Sequence, residues 1–224
     1  MEKSDSVRGT AAVSLVLASA SPARRKVLQG AGLCPVVQVS HVDEDTLLTK
    51  LRAQGADPAA QVLALAQAKA RAVAGELETS LSPGADTLLV GCDSMLEFHG
   101  EVLGKPHDPE VAFARVRALS GDSGVLHTGH WAMRLRSEAA ETVAEVGRTE
   151  STVVHFAQFS EAEVRAYVAS GEPLEVAGSF TIDGLGGAFI SGIEGDPHNV
   201  IGISLPLLRK LAGELGIFWP SLWG

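Results

Sequence analysis

Residues 15–28 run Leu-Val-Leu-Ala-Ser-Ala-Ser-Pro-Ala-Arg-Arg-Lys-Val-Leu, and this passage limits the architectures open to the chain more than any other. A short apolar run ends in two serines, and a proline follows. The run reads as a strand and Pro22 as the first residue of a helix, with Ser21 as its N-cap. Val27 and Leu28 face inward, and Gly30 and Gly32 stop the helix. A strand that feeds directly into a helix start leaves backbone N–H groups aimed at one spot, where the helix dipole favours an anion. Ser19, Ser21, Arg24 and Arg25 surround that spot with hydroxyls and guanidinium forks, and the planar, permanently charged fork suits phosphate. A capped surface helix with two solvated arginines has the same pattern.

The rest of the chain reads as short strands and amphipathic helices that mix without strict alternation, which suggests an α/β protein with a mixed sheet. Residues 35–40 are a second strand, followed by an acidic loop over 41–46. Asp57-Pro58 opens a long helix that puts Val62, Ala66, Lys69 and Val73 on one face. Lys69 on that inward stripe either snorkels to solvent or points into a phosphate site. Ser82-Pro83-Gly84 is a turn. Residues 87–92 form an apolar strand, and 95–98 extend or pair with it around His99-Gly100. Asp108-Pro109 opens a helix with Ala112, Val116 and Leu119 at helical spacing. Residues 125–135 and 151–157 are β-like, and the polar segment 136–150 reads as a hairpin excursion. Ser160 and Glu163 form a capping box for a helix reaching Ala169. From Gly171 the chain reads as short strands and tight loops, and Pro206 opens the last helix. Phe218, Trp219 and Trp223 are apolar residues for packing on a surface or a partner.

The chain has 224 residues, 46% hydrophobic and 20% charged, a globular balance with enough length for a sizeable core. The net charge of −9 argues against nucleic-acid polymers and anionic membranes as partners. Cys34 and Cys92 give no disulfide framework and suit a reducing cytoplasm. Cys92 reads as a core residue. Residues 11–20 could pass for the apolar part of a signal peptide. Glu2 and Asp5 stand where positive charge belongs, however, and the arginine pair follows the apolar run, so a first core strand is the expectation. Residues 1–10 read as a loose tail.

Asp93 follows an apolar strand, where open α/β sheets place their site residues. It can hold a metal, take a proton from water or cap a turn. Glu44 is its partner if the acidic loop reaches the same place. Lys105 is either a solvated turn lysine or a phosphate binder. His127 and His130, three apart on a strand, face opposite ways and make a poor metal pair. Gly184 to Gly187 read as tight turns. The chain carries no P-loop, dinucleotide-binding fingerprint or zinc spacing.

The opening Ser-x-Ser-Pro-x-Arg passage resembles that of the Maf family of nucleoside triphosphate pyrophosphatases. Matching segments follow in order: His-Val-Asp-Glu-Asp at 41–45, Ala-Gln-Ala-Lys-Ala at 66–70, Gly-Cys-Asp-Ser at 91–94, Leu-Gly-Lys-Pro at 103–106, Leu-Ser-Gly at 119–121, Thr-Gly at 128–129, Gly-Glu-Pro-Leu at 171–174, Gly-Leu-Gly at 184–186, Ile-Glu-Gly at 193–195 and Asn-Val-Ile-Gly at 199–202.

The resemblance implies an α/β fold over residues 11–224, an elongated mixed sheet with flanking helices in two lobes around a deep nucleotide-binding cleft, often as a homodimer. It implies hydrolysis of a nucleoside triphosphate to a monophosphate and pyrophosphate, with house-cleaning of modified nucleotides as a role. The cofactor is a divalent cation, Mg²⁺ or Mn²⁺. Asp93 becomes the general base, Glu44 and Asp93 the metal ligands, and Ser19, Ser21, Arg24, Lys69 and Lys105 the substrate binders.

Specificity positions fall on Ala23, Ser94 and Asp183. Members similar to the dTTP/UTP enzymes carry arginine, threonine and glutamine there, and a lysine where this chain has Val176. Members similar to the 7-methyl-GTP enzymes carry an aromatic, glutamine and glutamate. Asp183 places this chain closer to the acidic type. The family's association with septum formation leaves a second reading, a nucleotide-binding regulator of division with little turnover.

Overall fold

The computed structural model describes residues 13–77, 82, 84–136 and 141–224. The expected tail at 1–10, and Pro83 of the expected turn at 82–84, lie outside them. A mixed seven-stranded sheet forms the body, in the order β2-β1-β3-β5-β6-β7 with β4 also on β3. Strand β1 (Ser14–Ala18) runs parallel to β2 (Val36–Val37) and to β3 (Asp86–Phe98). Strands β4 (Glu101–Leu103), β5 (Ser123–Arg136), β6 (Glu141–Phe156) and β7 (Ile190–Glu194) continue it antiparallel.

Alternation along the strands sorts the first half of the sheet into two cores. Leu15, Leu17, Leu88, Val90, Cys92 and Ala132 face helices α1 (Pro22–Gly30) and α7 (Leu205–Glu214), meeting Leu28, Leu208 and Leu211. Val16, Ala18, Leu89 and Met133 face the long helix α3 (Pro58–Leu77), meeting Ala70, Val73 and Ala74. The first strand is therefore core, as the charge pattern around it implied. At the other end Leu96, Leu126, Val154 and Phe156 pack with Leu119 and Phe180 beneath α4 (Pro109–Leu119), which in turn joins α5 (Glu161–Ala169) through Val116, Val164 and Tyr167.

The caps read from sequence are present: Ser21 and Asp108 accept from backbone N–H groups, and Ser160 and Glu163 close a capping box; Ser204 adds a cap to the last helix. Four expectations need correction. The second strand is only two residues long. The acidic loop is instead the start of a helix, α2 (Glu44–Ala53), capped by the Asp43 side chain. The segment 136–150 is mostly β6, not an excursion; Arg71 and Trp131 bind Glu145, and Arg148 binds Glu214, so a polar strand finds partners. The stretch from Gly171 is chiefly 3-10 turns at 172–175, 177–179 and 185–189, followed by β7 and a short helix, α6 (Pro197–Ile201).

The detail that matters for function is an interruption in the sheet. Strand β1 stops pairing with β3 at Gly91, and β4 takes up the same edge only at Leu96. Residues 92–95 of β3 therefore have no strand beside them on that edge. The notch lies between the two packed ends of the molecule.

Candidate active site

Two buried cations reach the notch from opposite faces of the sheet. The first is Arg24, only 9% exposed. It sits in the first turn of α1, where the Ser21 hydroxyl accepts its backbone N–H at 3.3 Å. Its guanidinium donates from Nε to the Gly202 carbonyl (2.7 Å), from Nη1 to Ser19 Oγ (2.9 Å) and from Nη2 to Ser94 Oγ (2.9 Å). All three partners are neutral oxygens, so the charge is held without being cancelled.

The second is Lys69, 8% exposed, on the inner stripe of α3. Its Nζ lies 2.6 Å from Asp93 Oδ1 and 2.9 Å from Glu44 Oε1. The snorkelling reading of this lysine is thereby replaced. Asp93 caps no turn: it lies inside β3, which runs unbroken through the apolar segment and beyond it. Burial pushes the Asp93 carboxyl above the usual carboxylate range, against the opposing pull of Lys69 and Arg24. Its Oδ2 has no hydrogen-bond partner among the described residues.

Two glycines make this meeting possible. A Cβ on Gly91 would stand 2.2 Å from the Ala66 carbonyl oxygen, and one on Gly129 2.3 Å from that of Val62. Helix α3 therefore lies directly on β3 and β5, and Lys69 comes down onto Asp93, which pairs with Gly129 across the ladder. Glycine inside a strand signals close approach; both residues fall in segments that carry the family resemblance.

Of the residues read from sequence, Ser19, Arg24, Ser94, Lys69, Asp93 and Glu44 come together, with Ser21 as the cap and Ala23 beside it on α1. Lys105 and Asp183 do not. Lys105 is exposed between β4 and α4, and Asp183 is exposed before Gly184; neither has a hydrogen bond or ion pair among the described residues. Asp183 does not cap the Gly184 turn. Glu172 does, accepting from the Leu185 and Gly186 N–H groups at 2.9 Å each and from Tyr167 at 3.0 Å. The glycines there are tightly packed turns, as read: a Cβ on Gly186 would lie 2.5 Å from the Tyr167 hydroxyl. Sequence reading missed Thr128, Asn199 and Gly202, which lie behind Arg24.

Cys92 is core, its thiol pushed up to about 11 by burial. His127 and His130 do point apart. His130 accepts from the Ser204 N–H (2.8 Å) on the α7 face. His127 lies 2.8 Å from Ser151 Oγ and 3.0 Å from Glu97 Oε2. That order is the order of a hydrolytic triad, but the three residues are cross-strand neighbours on a sheet whose N–H groups serve the ladder, which leaves no donors for an oxyanion.

A divalent cation fits the donor set at the notch. Asp93 and Glu44 converge on one ammonium, and Mg²⁺ typically binds through one or two carboxylates and completes its shell with water and substrate phosphate. No group of three or more His, Cys, Asp or Glu suited to a metal occurs among the described residues, so a protein-only cage of the zinc kind is not what this site offers.

Comparison with known proteins follows the same line. The family model described as Maf-like protein matches residues 14–215. The chain is 55% identical over 210 residues to a Nocardia farcinica protein named nucleoside triphosphate pyrophosphatase, covering 94% of this chain and 96% of that one. It is 50% identical over 219 residues to a Salinispora tropica protein of the same name, covering 96% and 89%. A Streptomyces avermitilis protein, also so named, is 51% identical over 209 residues, covering 93% and 94%. The family model runs through both packed ends and the notch between them, and the chain belongs to the Maf family.

Proposed function

We propose that the protein is a metal-dependent nucleoside triphosphate pyrophosphatase that works at this notch. The observation that carries the reading is the pairing of Lys69 with two carboxylates beside an Arg24 held only by neutral oxygens. Arg24 is a seat for phosphate. Ser19 Oγ already accepts from Arg24 Nη1 and from the Ser21 N–H, so its own hydrogen is left to donate to a phosphate oxygen. Water attacks the α-phosphorus, Asp93 takes its proton, and the bond to the β-phosphate oxygen breaks to release pyrophosphate. A carboxyl raised by burial is the better base near neutral pH. Lys69, Arg24 and, on binding, Lys105 offset the charge of the triphosphate. Asp93 and Glu44 would hold the Mg²⁺ or Mn²⁺, which supplies further charge neutralisation at the phosphate oxygens.

The substrate base is read at Asp183. An ionised carboxylate only accepts, which suits the neighbouring N1–H and N2 amine of guanine and opposes the carbonyls of uracil and thymine. A preference for GTP or 7-methyl-GTP over UTP and dTTP follows, with house-cleaning of modified nucleotides in the cytoplasm as the role and a homodimer as the assembly. The exposed carboxylate, free of any turn-capping duty, supports this assignment.

The test is pyrophosphate release by the purified protein with Mg²⁺ across GTP, 7-methyl-GTP, UTP and dTTP, for wild type and Asp183→Gln. Stoichiometric pyrophosphate from any of them supports the enzyme. Binding without release would favour a nucleotide-binding regulator of septum formation. A ranking of kcat/KM unchanged by Asp183→Gln would remove Asp183 as the reader.

A further inference from the structure

Behind Arg24 lies a set of buried polar residues with no part in the chemistry described above. Thr128 and Asn199 are both 0% exposed, so neither meets a ligand in the notch. Their hydrogen bonds nevertheless lead to the guanidinium. Ser94 Oγ, which accepts from Arg24 Nη2, lies 2.9 Å from Thr128 Oγ1, and Thr128 Oγ1 lies 3.1 Å from the Asn199 carbonyl oxygen.

The direction of this chain is forced by donor counting. A carbonyl can only accept, so Thr128 gives its single hydrogen to Asn199. Thr128 has no second hydrogen for Ser94, so Ser94 must donate to Thr128. Ser94 is then left with lone pairs alone for Arg24, which can only donate. Every hydroxyl dipole turns its negative end toward the guanidinium.

The chain closes on itself. The Asn199 carbonyl also accepts the Gly202 N–H at 2.9 Å, and the Gly202 carbonyl accepts Arg24 Nε at 2.7 Å. Gly202 holds φ +120, where side chains are rarely tolerated, and a Cβ there would stand 3.1 Å from Arg24 Nε. The Asn199 amide fixes the ring to the sheet, with Nδ2 lying 3.3 Å from the Leu126 carbonyl, 3.2 Å from that of Glu150 and 3.1 Å from Thr152 Oγ1. Helix α6 is thereby clamped across β5 and β6, and both sides of the guanidinium fork are held from a single residue.

We infer that Thr128 and Asn199 are positioning residues that orient the Arg24 guanidinium for phosphate, through a closed ring of hydrogen bonds running Arg24–Ser94–Thr128–Asn199–Gly202. The inference rests on the reading of Arg24 as a phosphate seat. Thr128→Val keeps the shape and removes the relay; Thr128→Ser keeps the relay. Ser94 loses the acceptor for its hydrogen in the valine variant, rotates, and no longer fixes Nη2.

The experiment measures pyrophosphate affinity by calorimetry in the presence of Mg²⁺, alongside KM and kcat for the best nucleotide. Thr128→Val weakens pyrophosphate binding and raises KM by about tenfold, the scale of one hydrogen bond to a charged group, while kcat falls by less. Thr128→Ser stays within about twofold of wild type. In an Arg24→Ala background, Thr128→Val has no further effect. Equal losses with and without Arg24, or valine behaving as wild type, overturn the inference. Should Thr128→Val fail to fold, Ser94→Ala cuts the same ring and carries the same comparison. An Arg24→Ala protein that binds pyrophosphate as tightly as wild type overturns the phosphate seat and this inference with it. A wild type that binds pyrophosphate through Arg24 but releases none from nucleotides removes only the enzymatic reading.

Discussion

The two cations at the notch are both buried, yet they are held in opposite ways. Arg24 is surrounded by a serine hydroxyl on either arm and a backbone carbonyl at Nε, and none of these carries charge. Lys69 touches two carboxylates, one of them on a 46% exposed side chain. A cation among neutral oxygens keeps its attraction for an anion. A cation between two carboxylates is locally over-neutralised, and that group attracts a further positive charge. On the proposed reading one face of the sheet is set for phosphate and the other for a divalent cation, and β3 carries Asp93 and Ser94, adjacent residues, to the two faces.

The largest effect that this contrast predicts is on Asp93→Asn. The substitution removes a base and a charge while keeping the size of the side chain. Turnover falls at least about a hundredfold, and nucleotide binding through Arg24 persists. Steady-state assay together with nucleotide titration checks both halves. A well-folded variant with near wild-type turnover takes Asp93 out of the reaction.

Stability separates the two seats next. Lys69→Met strands the buried Asp93 carboxylate with Glu44 beside it and costs about 2–3 kcal/mol at neutral pH, below the roughly 3–5 kcal/mol of a broken buried pair because Asp93 can protonate. Arg24→Met leaves no charge stranded and costs less. The pH dependence gives the sign. Burial raises the folded Asp93 carboxyl, so the folded state holds a proton that the unfolded chain has lost, and stability falls as pH rises through that window. Acidification and added Mg²⁺ therefore recover more of the stability lost in Lys69→Met than of that lost in Arg24→Met, where Lys69 still neutralises the carboxylates. Urea melts at pH 7 and pH 5, with and without Mg²⁺, decide it; identical responses from both variants would erase the contrast.

The Arg24 side has its own titration. His130 is buried on that face, and desolvation, with Arg24 adding to it, holds its ring down at about 4. A depressed histidine contributes stability that is present above its unfolded value near 6.5 and lost as pH falls from there toward 4. The wild type loses about 1 kcal/mol by pH 5.5 through this group, and His130→Gln, which still offers an acceptor to the Ser204 N–H, loses less. Parallel denaturation curves over pH 7.5 to 5 measure the difference.

What the sequence displays of this arrangement, and what it conceals, follows from the range of the interactions. The Ser21 cap, the Pro22 start and the inward stripe bearing Lys69 are local patterns, and they stand in the structure as read. Helix α2 was hidden because none of its residues is buried, so it shows no apolar stripe, only Leu47 and Leu48 half-covered beside Met95. The length of β6 was hidden because its charged residues pair with α3 and α7 instead of turning to water. Thr128, Asn199 and Gly202 act on Arg24 from more than 70 residues away along the chain, a distance that spacing cannot cross. Gly91 and Gly129 were the one long-range signal open to reading, since glycine within an apolar strand implies that another backbone comes close.

The smallest predicted effect is on Ser19, at the edge of the Arg24 seat. Its Oγ accepts from Arg24 Nη1 at 2.9 Å and from the Ser21 N–H at 3.2 Å, which occupies both lone pairs. Its hydrogen is left for a phosphate oxygen. Ser19→Ala removes one neutral donor and one of three holds on the guanidinium, but strands no charge on either face. Nη2 and Nε keep their partners, so Arg24 stays in place. KM rises by roughly three- to tenfold, the worth of one hydrogen bond, while kcat stays within about twofold and the melting temperature hardly moves. A fall in kcat to the level of Asp93→Asn would mean that Ser19 acts on the developing charge of the reaction. The two seats would then share the chemistry instead of dividing it into phosphate capture on one face and proton removal on the other.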